Sequence, residues 1–139
     1  MMKKIDTIFP DIGLIPAIVL TIVFAAALQL GGSWIVMLIA GALGSLFIRR
    51  HRIAFLVGFL GVFIGWLILF SYLILTSQAI VIADFFLGLL GIHGLGGLVI
   101  IISCIIGGLL GGFGALLGRS IIEIIDEFIT PEIQAEVME

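Results

Sequence analysis

Charge is almost absent from the interior of this chain. Residues 12–48 carry none, residues 53–118 carry only Asp84, and the 6 basic residues fall at Lys3, Lys4, Arg49, Arg50, Arg52 and Arg119. Soluble domains carry about 25% charged residues; this chain carries 11%, and 63% of it is hydrophobic. A chain so composed needs lipid as its solvent. A spanning helix uses roughly 20 apolar residues, so 139 residues allow about four spans and leave no room for a separate soluble domain. The expected fold class is all-α: a polytopic helical membrane protein.

The spans read as about 10–30, 34–48, 53–75 and 95–118. Pro10 suits a helix start, where its missing N–H has no partner in any case, and Pro16 is placed to kink the first helix. Lys3, Lys4 and the later Ala25-Ala26-Ala27 imitate a cleavable leader. The apolar run continues to Leu30, long enough to span, so retention as a first transmembrane helix is expected. Gly31 and Gly32 predict a reversal, Ser33 a cap for the second span, and Arg49-Arg50-His51-Arg52 the next loop. Trp34 and Tyr72 fall opposite the arginines, where an interfacial aromatic belt belongs.

Segment 79–92 is apolar apart from Asp84, but fourteen helical residues cover only about 21 Å. The reading is a re-entrant or interfacial element, with five spans as the competing count. If it does not cross, all six basic residues share one face, and the positive-inside rule makes that face, and both termini, cytoplasmic. Residues 119–139 then form a cytoplasmic tail. Ile121, Ile122, Ile124, Ile125, Phe128 and Ile129 repeat at helical period opposite Glu123, Asp126 and Glu127, and Thr130-Pro131-Glu132 predicts the stop. The acidic face suggests docking on protein, the chain's own arginine loop included.

Glycine supplies the clearest local pattern. Gly107, Gly108, Gly111, Gly112, Gly114 and Gly118 lie on the last span, Gly58, Gly61 and Gly65 on the third, and Gly41 and Gly44 on the second. Lipid gives little hydrophobic drive between helices, so missing side chains let backbones approach. Within the subunit this is ordinary packing; between subunits it is an assembly face; lining a path it is a channel. The run Gly41-Ala42-Leu43-Gly44-Ser45-Leu46-Phe47-Ile48-Arg49 reads like Gly111-Gly112-Phe113-Gly114-Ala115-Leu116-Leu117-Gly118-Arg119. Both runs point toward the basic face, as parallel repeats would.

Chemistry has little to work with. The spans hold Thr21, Ser45, Ser71, Ser103 and Cys104, and hydroxyls there can bond their own helix backbone. Coupled transport usually requires ionisable residues in the membrane. Asp84 and His93 form the outer ionisable pair, a candidate pore mouth, and nine helical residues would set them on opposite faces. A lone histidine beside glycines lacks partners for a metal. Arg49, Arg50, Arg52 and Arg119 read as topology determinants that contact lipid headgroups. No metal, cofactor, nucleic acid or catalytic set is expected. The expectation is a non-catalytic membrane subunit, a homo-oligomer or an accessory part of a complex; the alternative is a small passive channel or permease using 79–97.

Overall fold

A computed structural model describes residues 11–138, and all regular structure in that range is α-helical. Five helices follow in order: α1 (Leu14–Gln29), α2 (Ile35–Ser45), α3 (His51–Ser77), α4 (Ala79–Leu89) and α5 (Gly96–Val137). Lys3, Lys4 and Pro10 lie outside the described residues. At 1.5 Å per residue, α3 is about 40 Å long and α5 about 63 Å, while α1 and α2 reach about 24 and 16 Å. Two helices, α3 and the Gly96–Ile129 part of α5, are long and apolar enough to cross a membrane. The expectation of four full spans is therefore corrected. Two of the four apolar runs fold into helices shorter than a hydrocarbon core of roughly 30 Å.

Local chemistry explains where the helices stop. Gly13 (φ +85) precedes α1, which puts Pro16 at its third residue. No intrahelical partner awaits an N–H in that first turn, so Pro16 does not act as a mid-helix kink. Gly32 (φ +69) makes the reversal after α1. Ser33 gives no side-chain cap to α2; its carbonyl accepts the Val36 N–H instead, at 3.2 Å. At the other end, Ser45 Oγ donates to the Ala42 carbonyl (2.6 Å), and the helix does not reach Ile48. Arg50 is extended and α3 starts at His51, so His51 and Arg52 belong to its first turn rather than to the loop.

A single residue separates α3 from α4. Gln78 sits in the left-handed region (φ 50), a conformation costing about 1–2 kcal/mol outside glycine, and its carbonyl accepts the Val81 and Ile82 N–H groups. The end of α4 is a Schellman motif: Ile92 N–H bonds the Leu87 carbonyl, Gly91 N–H bonds Gly88, and Gly91 takes φ +79.

The core is built mainly of small side chains, with Met37, Ile48, Ile100 and Ile122 as its larger members. Ala17, Ala25, Ala40, Ala54, Ala115, Thr21, Ser45 and Cys104 are buried, and the largest fully buried ones are Val57 and Val62. Large apolar groups point outward on every helix: Ile15 and Val23 on α1, Ile39 on α2, Ile68 on α3, Phe85 and Phe86 on α4, Ile106 and Phe113 on α5. Soluble monomers rarely leave apolar patches beyond a few hundred Å² exposed. This distribution is the reverse of a soluble core.

The tail departs from expectation at Pro131. α5 continues through Pro131 without interruption, since a proline removes only one hydrogen bond of a long ladder. Its burial follows neither face cleanly: Ile122, Arg119 and Asp126 are buried, whereas Ile121, Ile124, Ile125, Glu127 and Phe128 are exposed. Of the polar face, Asp126 is buried and Glu123 meets His51 of α3, as described below.

Candidate functional site

Glycines of α2, α3 and α5 meet inside the bundle. A Cβ on Gly41 (α2) or on Gly58 (α3) would strike the Gly111 carbonyl of α5, and one on Gly111 would lie 2.5 Å from the Gly58 carbonyl. Gly111 is thus the contact point of three helices. A second junction forms around Thr21 of α1, which fills the space left by Gly44 and Gly61. Its hydroxyl is satisfied by the Ala17 carbonyl at 2.8 Å, so a polar side chain is buried without an orphaned donor. Ser71 bonds the Leu67 carbonyl in the same way.

The remaining glycines face neighbours of the same chain. Gly65 faces Ala25, Gly107 faces Trp66 and Met37, Gly114 faces the Leu38 backbone, and Gly118 faces Ser45 and Ala42. Gly108 and Gly112 open a flat strip of α5 for the aromatic side of α3: a Cβ on Gly112 would sit 2.6 Å from the Phe55 ring, and one on Gly108 3.1 Å from Phe63. Phe55, Phe59 and Phe63 stack along that strip with centroids 6.2 and 5.9 Å apart. The two copies of the repeated pattern pack on each other, with Gly41 against Gly111 and Gly118 against Ser45.

At the end where α4 turns into α5, Asp84 accepts the Gly96 N–H. This is the first N–H of a 42-residue helix, one of four such donors with no intrahelical acceptor, and a carboxylate suits the positive end of the dipole. Only glycine fits there: a Cβ on Gly96 would lie 2.5 Å from the Ile80 carbonyl and 2.9 Å from Asp84 Cγ. His93 does not oppose Asp84. The chain reverses after Leu89 and brings the ring over Gly88, one helical turn from Asp84 on the same face. No ion pair joins the two among the described residues. The expected result for Gly96→Ala is a loss of about 1–3 kcal/mol, against about 1 kcal/mol for Asp84→Ala. Denaturant titration with amide exchange at Gly96 checks both; exchange unchanged in Asp84→Ala would refute the capping role.

The opposite end holds the cations. His51 Nε2 lies 3.0 and 3.1 Å from the two carboxylate oxygens of Glu123, and Arg119 Nε donates to the same carboxylate at 3.3 Å. Glu123 therefore ties the start of α3 to α5. Glu123 of the tail's acidic face docks on this end of the bundle through His51, while its contact with Arg119 lies within α5. Arg49, Arg50 and Arg52 are exposed. Arg119 is 3% exposed, and Asp126, two turns on and on the same face, is 1% exposed. The Arg119–Glu123 spacing was readable as an i,i+4 pair; the contribution of His51 was not, because it depends on how α3 and α5 meet.

Known protein families, curated proteins and solved structures offer no match to this chain. Among the described residues no group of three histidine, cysteine or acidic side chains is placed to hold a metal ion.

Proposed function

We propose that this chain is a small integral membrane protein that acts through structure rather than catalysis, as a subunit of a membrane assembly. The observation that carries the reading is the skewed burial: the interior is mostly alanine, glycine, serine, threonine and valine, with Met37, Ile48, Ile100 and Ile122 its larger members, while large apolar side chains are exposed on every helix. In water that arrangement forfeits the main driving force of folding. In lipid it is the favoured one, because dispersion and close backbone contact hold helices together there. α3 and α5 cross the bilayer, α1 and α2 lean on them at partial depth, and α4 lies at the outer interface. The arginines mark the cytoplasmic side, and Trp34 and Tyr72, both well exposed, sit toward the other.

Glycine packing within the chain changes the basis of the assembly part of this reading. The glycine faces are occupied by the chain's own helices, so partners meet the apolar exterior instead. The subunit reading is preferred over a channel because Asp84, the feature a pore mouth relied on, is engaged in capping α5. The cavity of about 290 Å³ between α3, α4 and α5 is walled by Phe70, Leu73, Val99 and Ile100, with hydroxyls only from Ser77 and Ser103. Such a wall offers a polar solute little.

The test is alkaline carbonate extraction of native membranes, followed by native mass spectrometry of the gently solubilised protein. The expected result is retention in the pellet, then a mass above 14.9 kDa from added protein chains. Release into the supernatant would refute membrane integration; a monomer carrying no other chain would refute the subunit role.

A further inference from the structure

A cavity of about 440 Å³ opens at the basic end of the bundle. Its walls come from the chain before and into α1 (Asp11, Gly13, Leu14), from the α2–α3 connection (Ile48, Arg49, Arg50) and from the first turn of α3 (Ile53). The lining is amphipathic in a specific way. Ile48, Leu14 and Ile53 supply hydrocarbon, Arg49 and Arg50 supply guanidinium groups, and Asp11 supplies one carboxylate. Guanidinium forks match phosphate oxygens in two-point contacts. The first turns of α1 and α3 also open here with no side-chain cap.

Asp11 narrows the choice of ligand. One of its oxygens accepts the Gly13 N–H at 3.4 Å, and neither Asp11 nor Arg50 has an ion-pair partner among the described residues. A simple anion would satisfy Arg50 and leave the carboxylate facing like charge. A headgroup bearing both a phosphate and a primary ammonium satisfies both, while its glycerol and first methylenes lie along Ile48, Leu14 and Ile53. We propose that this cavity binds one phospholipid of the phosphoethanolamine class, phosphate at Arg50 and Arg49, ammonium at Asp11. The ammonium donates hydrogen bonds that a quaternary choline cannot. The inference rests on the membrane placement above, which puts this end at headgroup depth.

The experiment is lipid retention on the full chain, reconstituted into vesicles of equal phosphatidylethanolamine, phosphatidylcholine and phosphatidylglycerol and then read by native mass spectrometry. Phosphatidylethanolamine is expected to be retained over the other two by about threefold to fivefold, the scale of one partly exposed ion pair. Asp11→Asn should abolish that preference while phosphate-bearing lipids still bind. Arg50→Gln should lower retention of all three. Circular dichroism confirms that each variant stays helical. Equal retention of the three lipids in a protein that does reconstitute would overturn the headgroup assignment alone. Displacement of phosphatidylethanolamine by inorganic phosphate would overturn it in favour of a plain anion site. Failure to enter vesicles would overturn the membrane reading itself.

Discussion

Gly111→Leu is expected to abolish the folded state rather than weaken an assembly. The position is where α2, α3 and α5 touch, and even a Cβ would meet the Gly58 carbonyl at 2.5 Å and the Val62 side chain at 2.8 Å. The Gly58 carbonyl belongs to helix backbone, which cannot rotate away as a side chain can. Adding single methylenes to a packed core typically costs about 1–3 kcal/mol, so Gly111→Ala should lose roughly that and Gly111→Leu several times as much. The matched control is Gly97→Ala, where nothing lies within 4 Å and better helix propensity should gain up to about 1 kcal/mol. Unfolding by a denaturing detergent, followed by circular dichroism, measures all three. Equal stability of Gly111→Leu and wild type would mean that the three-helix junction does not exist.

Ile68→Arg and Ile106→Arg carry the second large expected effect, this time on insertion. Both positions are more than half exposed; Ile68 lies in the inner turns of α3 and Ile106 near the middle of the charge-free part of α5, 96–118. In the membrane reading, each arginine faces hydrocarbon near the middle of a span, at a cost of about 2.5–3.5 kcal/mol on insertion scales. Glycosylation-mapped insertion of each variant should fall to a small fraction of wild type. A soluble bundle predicts the opposite, since an exposed arginine would aid solubility there. Normal membrane yield of both variants would sink the proposal that α3 and α5 face lipid.

Much of the architecture was legible before any coordinates. The helical class followed from long charge-free runs, and the packing positions followed from glycine spacing. The reversal at Gly31-Gly32 was read from glycine chemistry. Other features were not legible, for identifiable reasons. α2 ends at Ser45, where the Leu46 and Ile48 N–H groups turn to the Leu43 and Ser45 carbonyls, a choice no hydropathy pattern expresses. Asp84 looked like a candidate site residue because its acceptor role depends on Gly96, which is brought alongside only when α4 folds onto α5. His93 came round to the same side because the Schellman turn interrupts the helical phase.

The tail is the clearest division between the two kinds of information. Its amphipathic period determined that 120–129 would be a helix with one apolar and one charged face. Period alone carries no sign, however: it does not say which face meets protein. That was decided by His51 at the start of α3, which sits against Glu123, and by the exterior of α5, whose outward face is apolar from Ile101 to Phe128. The sequence by itself determined the helices, their small-residue faces and the separation of charge to the ends. The tertiary structure decided how many helices are long enough to cross and which glycines meet. It also decided which charges are buried, because those outcomes depend on contacts between residues far apart in the chain.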